Sequence, residues 1–192
     1  MSIRHIKHPF PAVIDGESRV LILGSVPSVQ SVVNNVYYMH PKNRFWKVLS
    51  CLYGVDLYGA SVEERIDFLH KNHIALYDSV EECDIEASKD SAISNVTPAD
   101  VPSLIAKSKI SHIYCNGKAS FRYLLSAYPE YANMATLLPS TSPAKAQYSL
   151  EKLVFHFKDM TDDPEELAIL LDHSFDFGWA TIPYPFICLH PS

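Results

Sequence analysis

The chain has 192 residues, of which 47% are hydrophobic and 20% are charged, a composition typical of a globular protein with one core. This composition excludes a disordered, fibrous or collagen-like chain. No apolar run reaches the roughly 18 residues of a membrane-spanning helix, and residues 1–9 lack the apolar stretch of a secretory signal. We therefore expect a cytoplasmic protein, nucleoid-associated if its source is bacterial, with no membrane partner.

The net charge of −6 is concentrated at one end of the chain. Residues 159–192 contain seven of the 22 acidic residues and no Lys or Arg, so residues 1–158 carry 15 acidic and all 16 basic residues. This distribution predicts one α/β domain over residues 1–158 and an acidic, aromatic-rich C-terminal extension over 159–192 that is not an independent domain. A neutral body neither indicates nor excludes a nucleic-acid partner.

The four cysteines are far apart in the sequence and form no Cys-x-x-Cys pair. They are Cys51, Cys83, Cys115 and Cys188. Such spacing favours reduced, buried thiols over a disulfide framework, a zinc site or an iron–sulfur cluster.

Four short apolar runs predict the strands of one sheet. They lie at residues 19–25, 73–80, 110–116 and 135–139. Each run is nearly continuous in hydrophobicity, which indicates strands covered on both faces.

Helical patterns alternate with these strands. They lie at residues 43–53, 61–72, 102–107, 118–127 and 149–158. Ser61 and Glu64 form a capping-box pattern at the start of the second helix. The alternation predicts a single-domain three-layer α/β sandwich with a central, mainly parallel four-stranded sheet flanked by helices.

Ligands of parallel α/β sheets bind beyond the carboxyl ends of the strands. The segments there are 24–28, 78–79, 116–118 and 139–143, and they are rich in small hydroxyl residues, Gly and Pro. Small residues and a helix start at Lys118 favour a phosphate-bearing ligand. The Gly24 loop is neither a P-loop nor a dinucleotide fingerprint, so we expect no nucleotide triphosphate, NAD or other cofactor.

The segment 31–46 combines aromatic, amide and basic residues directly after one of these loops. Aromatic faces stack on bases, and amides recognise base edges or orient water. Phe45 and Trp46 fit the apolar stripe of the following helix and are predicted core residues. Asn43 has two open interpretations, a helix N-cap and a functional amide.

Three segments resemble motifs of the uracil-DNA glycosylase superfamily, in the same order. They are Gly24-Ser25-Val26-Pro27-Ser28, the segment 40–48 (HPKNRFWKV) and the segment 138–144 (LPSTSPA). The pair Tyr37-Tyr38, the segment 90–93 and the STSPA loop are most similar to the hypoxanthine-DNA (deoxyinosine) glycosylase branch. The resemblance covers about residues 18–158.

One position separates this chain from the related mismatch-specific uracil enzymes. Those enzymes have an Asn that positions the attacking water at the third residue of the first motif, where this chain has Val26. The deoxyinosine branch also lacks a polar residue there, and its key amide corresponds to Asn43. Ser140 stands where the uracil enzymes have a second Asn.

The resemblance implies a monofunctional DNA glycosylase that hydrolyses the N-glycosidic bond of a flipped deaminated base and leaves an abasic site. Hypoxanthine is the expected base. Asn43 would stabilise the departing purine, and Asp78 is the carboxylate nearest to the water by the strand-edge argument. Capping of the following turn is an alternative role for Asp78.

The remaining predicted contacts divide between the base and the DNA backbone. The predicted base-binding residues are Ser25, Val26, Tyr38 and His40, with Tyr38 as the stacking surface. The predicted DNA-binding residues are Ser28, Lys118, Ser140, Thr141, Ser142, Pro143, Ala144 and Lys145. We expect a monomer that acts on double-stranded DNA without a metal.

Two other functions agree with the same residues. One is a uracil-DNA glycosylase for G:U mismatches, which keeps the fold and changes the base. The other is a DNA-binding homologue without catalysis, which Val26 suggests because it cannot position water.

Overall fold

The computed structural model describes residues 3–86, 93–143 and 147–161. Over these residues the chain forms two compact units, Met1–His40 with Ile66–Leu138, and Pro41–Arg65 with Pro139–Ser192. The predicted C-terminal extension lies outside the described residues from position 162 onward. One domain over residues 1–158 therefore stays a prediction, and each unit is described by itself.

The described part of the chain contains the following strands: β1 (Ile3–Lys7), β2 (Val20–Gly24), β3 (Ile74–Asp78), β4 (Val80–Glu86), β5 (Ile93–Pro98), β6 (His112–Asn116) and β7 (Ala135–Leu138). Four of them form a parallel sheet in the order β3-β2-β6-β7. These are the four strands that the apolar runs predict. Leu21, Ile22 and Leu23 of the central strand β2 have no exposed surface, as expected when both faces are covered.

The first unit also contains an antiparallel sheet, β1-β4-β5, that the sequence analysis missed. In its strands one or two polar residues separate successive apolar ones, without regular alternation. Ile6, Val80 and Cys83 form a small buried cluster there, and Val26 packs against it. Short strands such as these give a weak signal because half of their residues are charged or polar.

The α-helices of the described ranges are α1 (Val29–Asn34), α2 (Phe45–Tyr53), α3 (Val62–Lys71), α4 (Val101–Ala106), α5 (Lys118–Ala127) and α6 (Leu150–Phe157). Five of them correspond to predicted helices, and α1 was missed because six residues carry little periodicity. The predicted capping box is confirmed: Glu64 N–H donates to Ser61 Oγ at 3.2 Å, and Ser61 N–H donates to Glu64 Oε2 at 2.7 Å.

In the second unit, α2 packs against α6. Phe45 and Trp46 are buried on α2, as predicted, and Leu153 and Phe157 are buried on α6. Short 3₁₀ helices include Pro129–Met134 in the first unit and Lys158–Met160 in the second.

The outer edge of β3 is covered by the chain that follows β1. Val13 and Leu76 form an isolated antiparallel bridge, with N–H to carbonyl oxygen distances of 3.0 and 2.9 Å. Covered edges resist pairing with other chains.

Cys51, Cys83 and Cys115 are buried and form no disulfide within the described residues, whereas Cys188 lies outside them. No helix in the described ranges combines the length and apolar character needed to cross a bilayer.

Candidate active site

Three neighbouring strands of the parallel sheet end at one edge of the first unit. β2 ends at Gly24 and β3 ends at Asp78, and these two residues are partners in the strand register. β6 pairs with the other side of β2 and ends at Asn116. Ligands bind at this edge of parallel sheets, so Gly24, Asp78 and Asn116 mark the predicted site.

Gly24 is required by the close approach of two side chains. A Cβ atom on this residue would lie 2.1 Å from Asp78 Oδ1 and 3.0 Å from the Tyr38 hydroxyl oxygen. Even an alanine would therefore collide with the carboxyl group. The missing side chain at position 24 allows Asp78 and Tyr38 to meet at the end of β2.

Asp78 is buried, and the hydrogen bond of its side chain within the described structure joins it to His8. The His8 Nε2 to Asp78 Oδ2 distance is 3.0 Å. Burial raises the pKa of Asp78 above its ordinary value, and His8 opposes this shift through hydrogen bonding and charge. This hydrogen bond joins Asp78 to His8 and not to the turn after β3, so it does not support the alternative capping role of Asp78. Water activation by Asp78 stays a prediction.

Tyr38 is partly exposed as a residue, whereas its hydroxyl oxygen is buried. Its φ of 58° is in the left-handed region, which is uncommon for a residue other than glycine. Burial raises the pKa of Tyr38, the charge of Asp78 raises it further, and a hydrogen bond with Asn116 opposes the shift. The hydroxyl group thus lies beside Asp78 at the sheet edge, and stacking of the ring on a base stays a prediction.

Ser25, Val26 and His40, the other predicted base-binding residues of the first unit, lie in different local environments. Ser25 and His40 are partly buried, one directly after β2 and the other in the loop after α1. Val26 packs on the Ile6–Val80–Cys83 cluster, which explains why an apolar residue is accommodated there. Their contacts with a base stay predictions.

Two predicted DNA-binding residues of this unit lie at helix starts. Ser28 is the N-cap of α1, and its hydroxyl oxygen accepts from Ser31 N–H at 3.1 Å. Lys118 is the exposed first residue of α5. It follows Gly117, whose φ of 110° favours glycine. The N–H groups of a helix start favour anions, so both positions agree with the predicted phosphate contacts.

Asn43 lies in the second unit, immediately before α2. Its Oδ1 atom accepts a hydrogen bond from Phe45 N–H at 3.0 Å. An N–H group only donates, so this contact identifies the oxygen end of the amide. No described residue accepts from the Asn43 Nδ2 group. Arg44 occupies the N-cap position of α2, so Asn43 supports the helix start from one residue earlier, and its NH₂ group is left as a donor. A functional role of this amide stays a prediction.

Arg44 holds the Asn43 loop against the loop that carries the third motif. Arg44 N–H donates to the Thr141 carbonyl oxygen at 3.1 Å, and its guanidinium donates to the Tyr148 carbonyl oxygen. Burial lowers the pKa of Arg44. The structure thus brings two predicted motifs of the second unit together.

The residues of the third motif differ in exposure. Thr141 is fully buried, whereas Ser140, Ser142 and Pro143 are partly exposed. Ser142 N–H donates to Ser140 Oγ at 3.2 Å, which shapes the loop. The predicted DNA contacts of these four residues stay predictions. Ala144 and Lys145 lie outside the described residues.

Sequence analysis missed the roles of His8, Arg44 and Asn116. His8 and Asp78 are 70 residues apart, and no local pattern indicates such a contact. Arg44 belongs to the second motif, residues 40–48, but its hydrogen bonds depend on the tertiary fold. Within the described ranges, no three His, Cys, Asp or Glu side chains come together as a metal-binding group.

Known proteins are similar to this chain in sequence and in fold. A sequence model of the uracil DNA glycosylase superfamily matches residues 11–164. A hypoxanthine DNA glycosylase of Methanosarcina acetivorans is 32% identical over 148 residues, which cover 75% of this chain and 91% of that protein. A hypoxanthine DNA glycosylase of Methanosarcina barkeri is 37% identical over 89 residues, which cover 46% of this chain and 56% of that protein.

The fold comparison agrees with the sequence comparisons. The solution NMR structure of a candidate uracil DNA glycosylase from Methanosarcina acetivorans matches with a TM-score of 0.66 and 29% sequence identity. It covers 90% of this chain and 98% of that one. The chain belongs to the uracil DNA glycosylase superfamily, as its three motifs predict.

Proposed function

We propose that the protein is a monofunctional DNA glycosylase that hydrolyses the N-glycosidic bond of deoxyinosine, releasing hypoxanthine and leaving an abasic site. Two relatives named hypoxanthine DNA glycosylases support the choice of base. The absence of a polar side chain at Val26 supports it as well. The observation that carries the chemical proposal is the orientation of the Asn43 amide.

Hydrolysis makes the purine a leaving group, and negative charge accumulates on it as the bond to C1′ breaks. A donor directed at that charge stabilises the transition state more than the ground state. The Asn43 NH₂ group is such a donor, because the Phe45 N–H group holds the oxygen end of the amide. Asn43 is therefore the residue proposed to stabilise the departing base.

The target nucleotide must leave the base stack before C1′ can be attacked. Unstacking costs a few kcal/mol, and the cost is lower for a mismatched or damaged base. Tyr38 is proposed to stack on the flipped base. Ser28 and Lys118 are proposed to contact phosphates, which position the DNA without selecting its sequence.

Two variants of Asn43 separate its two roles. Asn43→Asp keeps an oxygen for Phe45 N–H, and Asp caps helices as well as Asn, but it has no NH₂ donor. Asn43→Ala loses both. We expect both variants to cleave inosine-containing duplex at least a hundredfold more slowly, since losing one such donor costs about 3 kcal/mol. Only Asn43→Ala should also lose stability, by about 1 kcal/mol.

The measurement is single-turnover cleavage of a labelled inosine duplex, revealed by alkali, with unfolding curves for each variant. An Asn43→Asp variant as fast as the wild type would overturn the role of the donor. Cleavage of uracil duplex alone by the wild type would support the uracil alternative, with which the structural relative's description agrees. Binding without any cleavage would support the non-catalytic alternative.

The proposed chemistry uses an amide donor and water, so it requires no metal. We further propose that the protein acts as a cytoplasmic monomer on double-stranded DNA. Activity on matched single- and double-stranded substrates tests the preference for duplex DNA, and activity in the presence of EDTA tests the independence from metal. Sedimentation of the free protein tests whether it is a monomer. Fractionation of source cells tests the location.

A further inference from the structure

Two titratable side chains form a buried pair at the end of β3. His8 Nε2 and Asp78 Oδ2 are 3.0 Å apart, and the side chains are 0% and 5% exposed. The rings of Phe10, Tyr37 and Tyr77 surround the imidazole, with centroid distances of 4.7, 5.7 and 4.7 Å. In so apolar a setting the two groups must satisfy each other.

The hydrogen bonds of His8 determine where protons lie in this pair. Nδ1 lies 2.7 Å from the Phe10 carbonyl oxygen, which only accepts, so Nδ1 carries a hydrogen. The contact between His8 Nε2 and Asp78 Oδ2 then holds one proton, on either the imidazole or the carboxyl group. In both cases this proton lies between Nε2 and Oδ2. The other carboxyl oxygen, Oδ1, therefore remains a hydrogen-bond acceptor.

Oδ1 is the carboxyl oxygen at the ligand edge of the sheet. It occupies the space above Gly24, where the Tyr38 hydroxyl group also approaches. The described titratable groups that interact with Asp78 are His8 and the tyrosines 37, 38 and 77. His8 is thus the basic partner in this set, and the tyrosines remain neutral at physiological pH.

A buried pair of this kind is a weak device for stability. Hydrophobic residues of similar volume often stabilise a core equally well or better, because burying ionisable groups is costly. The surrounding aromatic rings already provide an apolar environment for such residues. A function at the sheet edge accounts better for the presence of His8 and Asp78.

Deamination changes the hydrogen-bonding character of one ring nitrogen. N1 of adenine and N3 of cytosine carry a lone pair, whereas N1 of hypoxanthine and N3 of uracil carry a hydrogen. These atoms lie on the Watson–Crick edge, which enzymes recognise in a flipped base. A fixed acceptor therefore attracts hypoxanthine and uracil and repels adenine and cytosine, the bases from which deamination produces them.

We propose that the His8–Asp78 pair is a specificity-determining element, in which His8 positions Asp78 so that Oδ1 accepts a hydrogen bond from the ring N–H of a deaminated base. This inference rests on the proposed function and adds to it the group that distinguishes hypoxanthine and uracil from adenine and cytosine. Asp78 then contacts the substrate, and His8 acts through Asp78.

The test compares two substrates, duplexes that carry either inosine or 2′-deoxynebularine, an unsubstituted purine without hydrogen on N1. The measured quantity is the ratio of the single-turnover rates on inosine and on nebularine. The double variant His8→Phe/Asp78→Leu replaces the pair with apolar residues and preserves the packing. We expect its ratio to fall about 10- to 100-fold, the loss expected for a hydrogen bond to a charged group.

Asp78→Asn is the matched control. Its NH₂ group can donate to the unprotonated His8 Nε2, which leaves the amide oxygen in the position of Oδ1 as an acceptor. This variant should keep most of the wild-type ratio. His8→Gln, whose amide can also donate to Asp78, should keep more of the ratio than His8→Asn, whose shorter amide can reach only toward Phe10.

A double variant that retains the wild-type ratio overturns the inference. So does an Asp78→Asn variant whose ratio falls as far as that of the double variant, since the amide oxygen in the position of Oδ1 would then not serve as the acceptor. If the wild type releases neither base, the proposed function fails and this inference fails with it. A wild type active on inosine with an unchanged ratio in the double variant removes the inference alone.

Discussion

The main-chain N–H of Arg44 donates to the carbonyl oxygen of Thr141 at 3.1 Å, which joins the second and third sequence motifs. The Arg44 guanidinium adds a second link, to the Tyr148 carbonyl oxygen. The residue next to the proposed donor Asn43 is therefore fixed by both its backbone and its side chain.

Replacing Arg44 with Met removes the second link and keeps the first. We expect inosine cleavage to slow about tenfold or more, because a hydrogen bond from a charged group contributes about 1.5–3 kcal/mol. Kinetics with the inosine duplex measure this effect. Arg122→Met removes an exposed arginine of α5 and should leave the rate unchanged. Equal rates for both variants would show that the loop does not need the guanidinium.

Gly24→Ala tests the close approach at the end of β2. The new Cβ would lie 2.1 Å from Asp78 Oδ1, so the carboxyl group must move. We expect a loss of stability of about 1–3 kcal/mol and slower inosine cleavage by the folded protein. Urea unfolding and single-turnover kinetics measure the two effects.

The matched control is Gly16→Ala, because nothing lies within 4 Å of a Cβ at Gly16. Its stability should stay within about 0.5 kcal/mol of the wild type. A Gly24→Ala variant that behaves like this control would mean that Asp78 can move without cost.

Ser28→Ala tests the predicted phosphate contact. Removing the N-cap hydroxyl should lower the free energy of unfolding by about 1 kcal/mol. It should also weaken binding to duplex DNA. Ser61→Ala removes a comparable cap from α3 and should affect stability alone. Equal DNA affinities for the two variants would leave Ser28 with a capping role only.

Three tyrosines near Asp78 predict a loss of stability at alkaline pH. Burial raises the pKa values of Tyr37, Tyr38 and Tyr77 in the folded protein. Above the ordinary tyrosine pKa of about 10, the unfolded chain loses these protons first. The folded state then holds more protons than the unfolded state, so the free energy of unfolding falls as pH rises.

Urea unfolding between about pH 8 and 11 measures this slope. Tyr37→Phe, which removes one titrating hydroxyl group, should make it shallower. Tyr58→Phe is the control, because Tyr58 is 46% exposed. An identical slope in the wild type and Tyr37→Phe would contradict the prediction.

The parallel sheet could be predicted because its strands are covered on both faces and read as continuous apolar runs. The sheet formed by β1, β4 and β5 could not, since charged residues interrupt the apolar ones in β4 at irregular spacing. The ends of β2, β3 and β6 followed from the strand positions alone. The His8–Asp78 pair depends on where the first strand returns in space, which no local pattern contains.

The position of His8 has a practical consequence for shortened versions of the protein. The family match begins at residue 11, so a fragment trimmed to that match lacks β1 and His8. Such a fragment keeps all three sequence motifs and Asn43. It would leave β4 without its neighbour β1 and Asp78 without its hydrogen bond to the His8 imidazole. A search or an expression plan guided by the motifs alone would thus discard the segment that carries His8, which we infer positions Asp78 for base recognition.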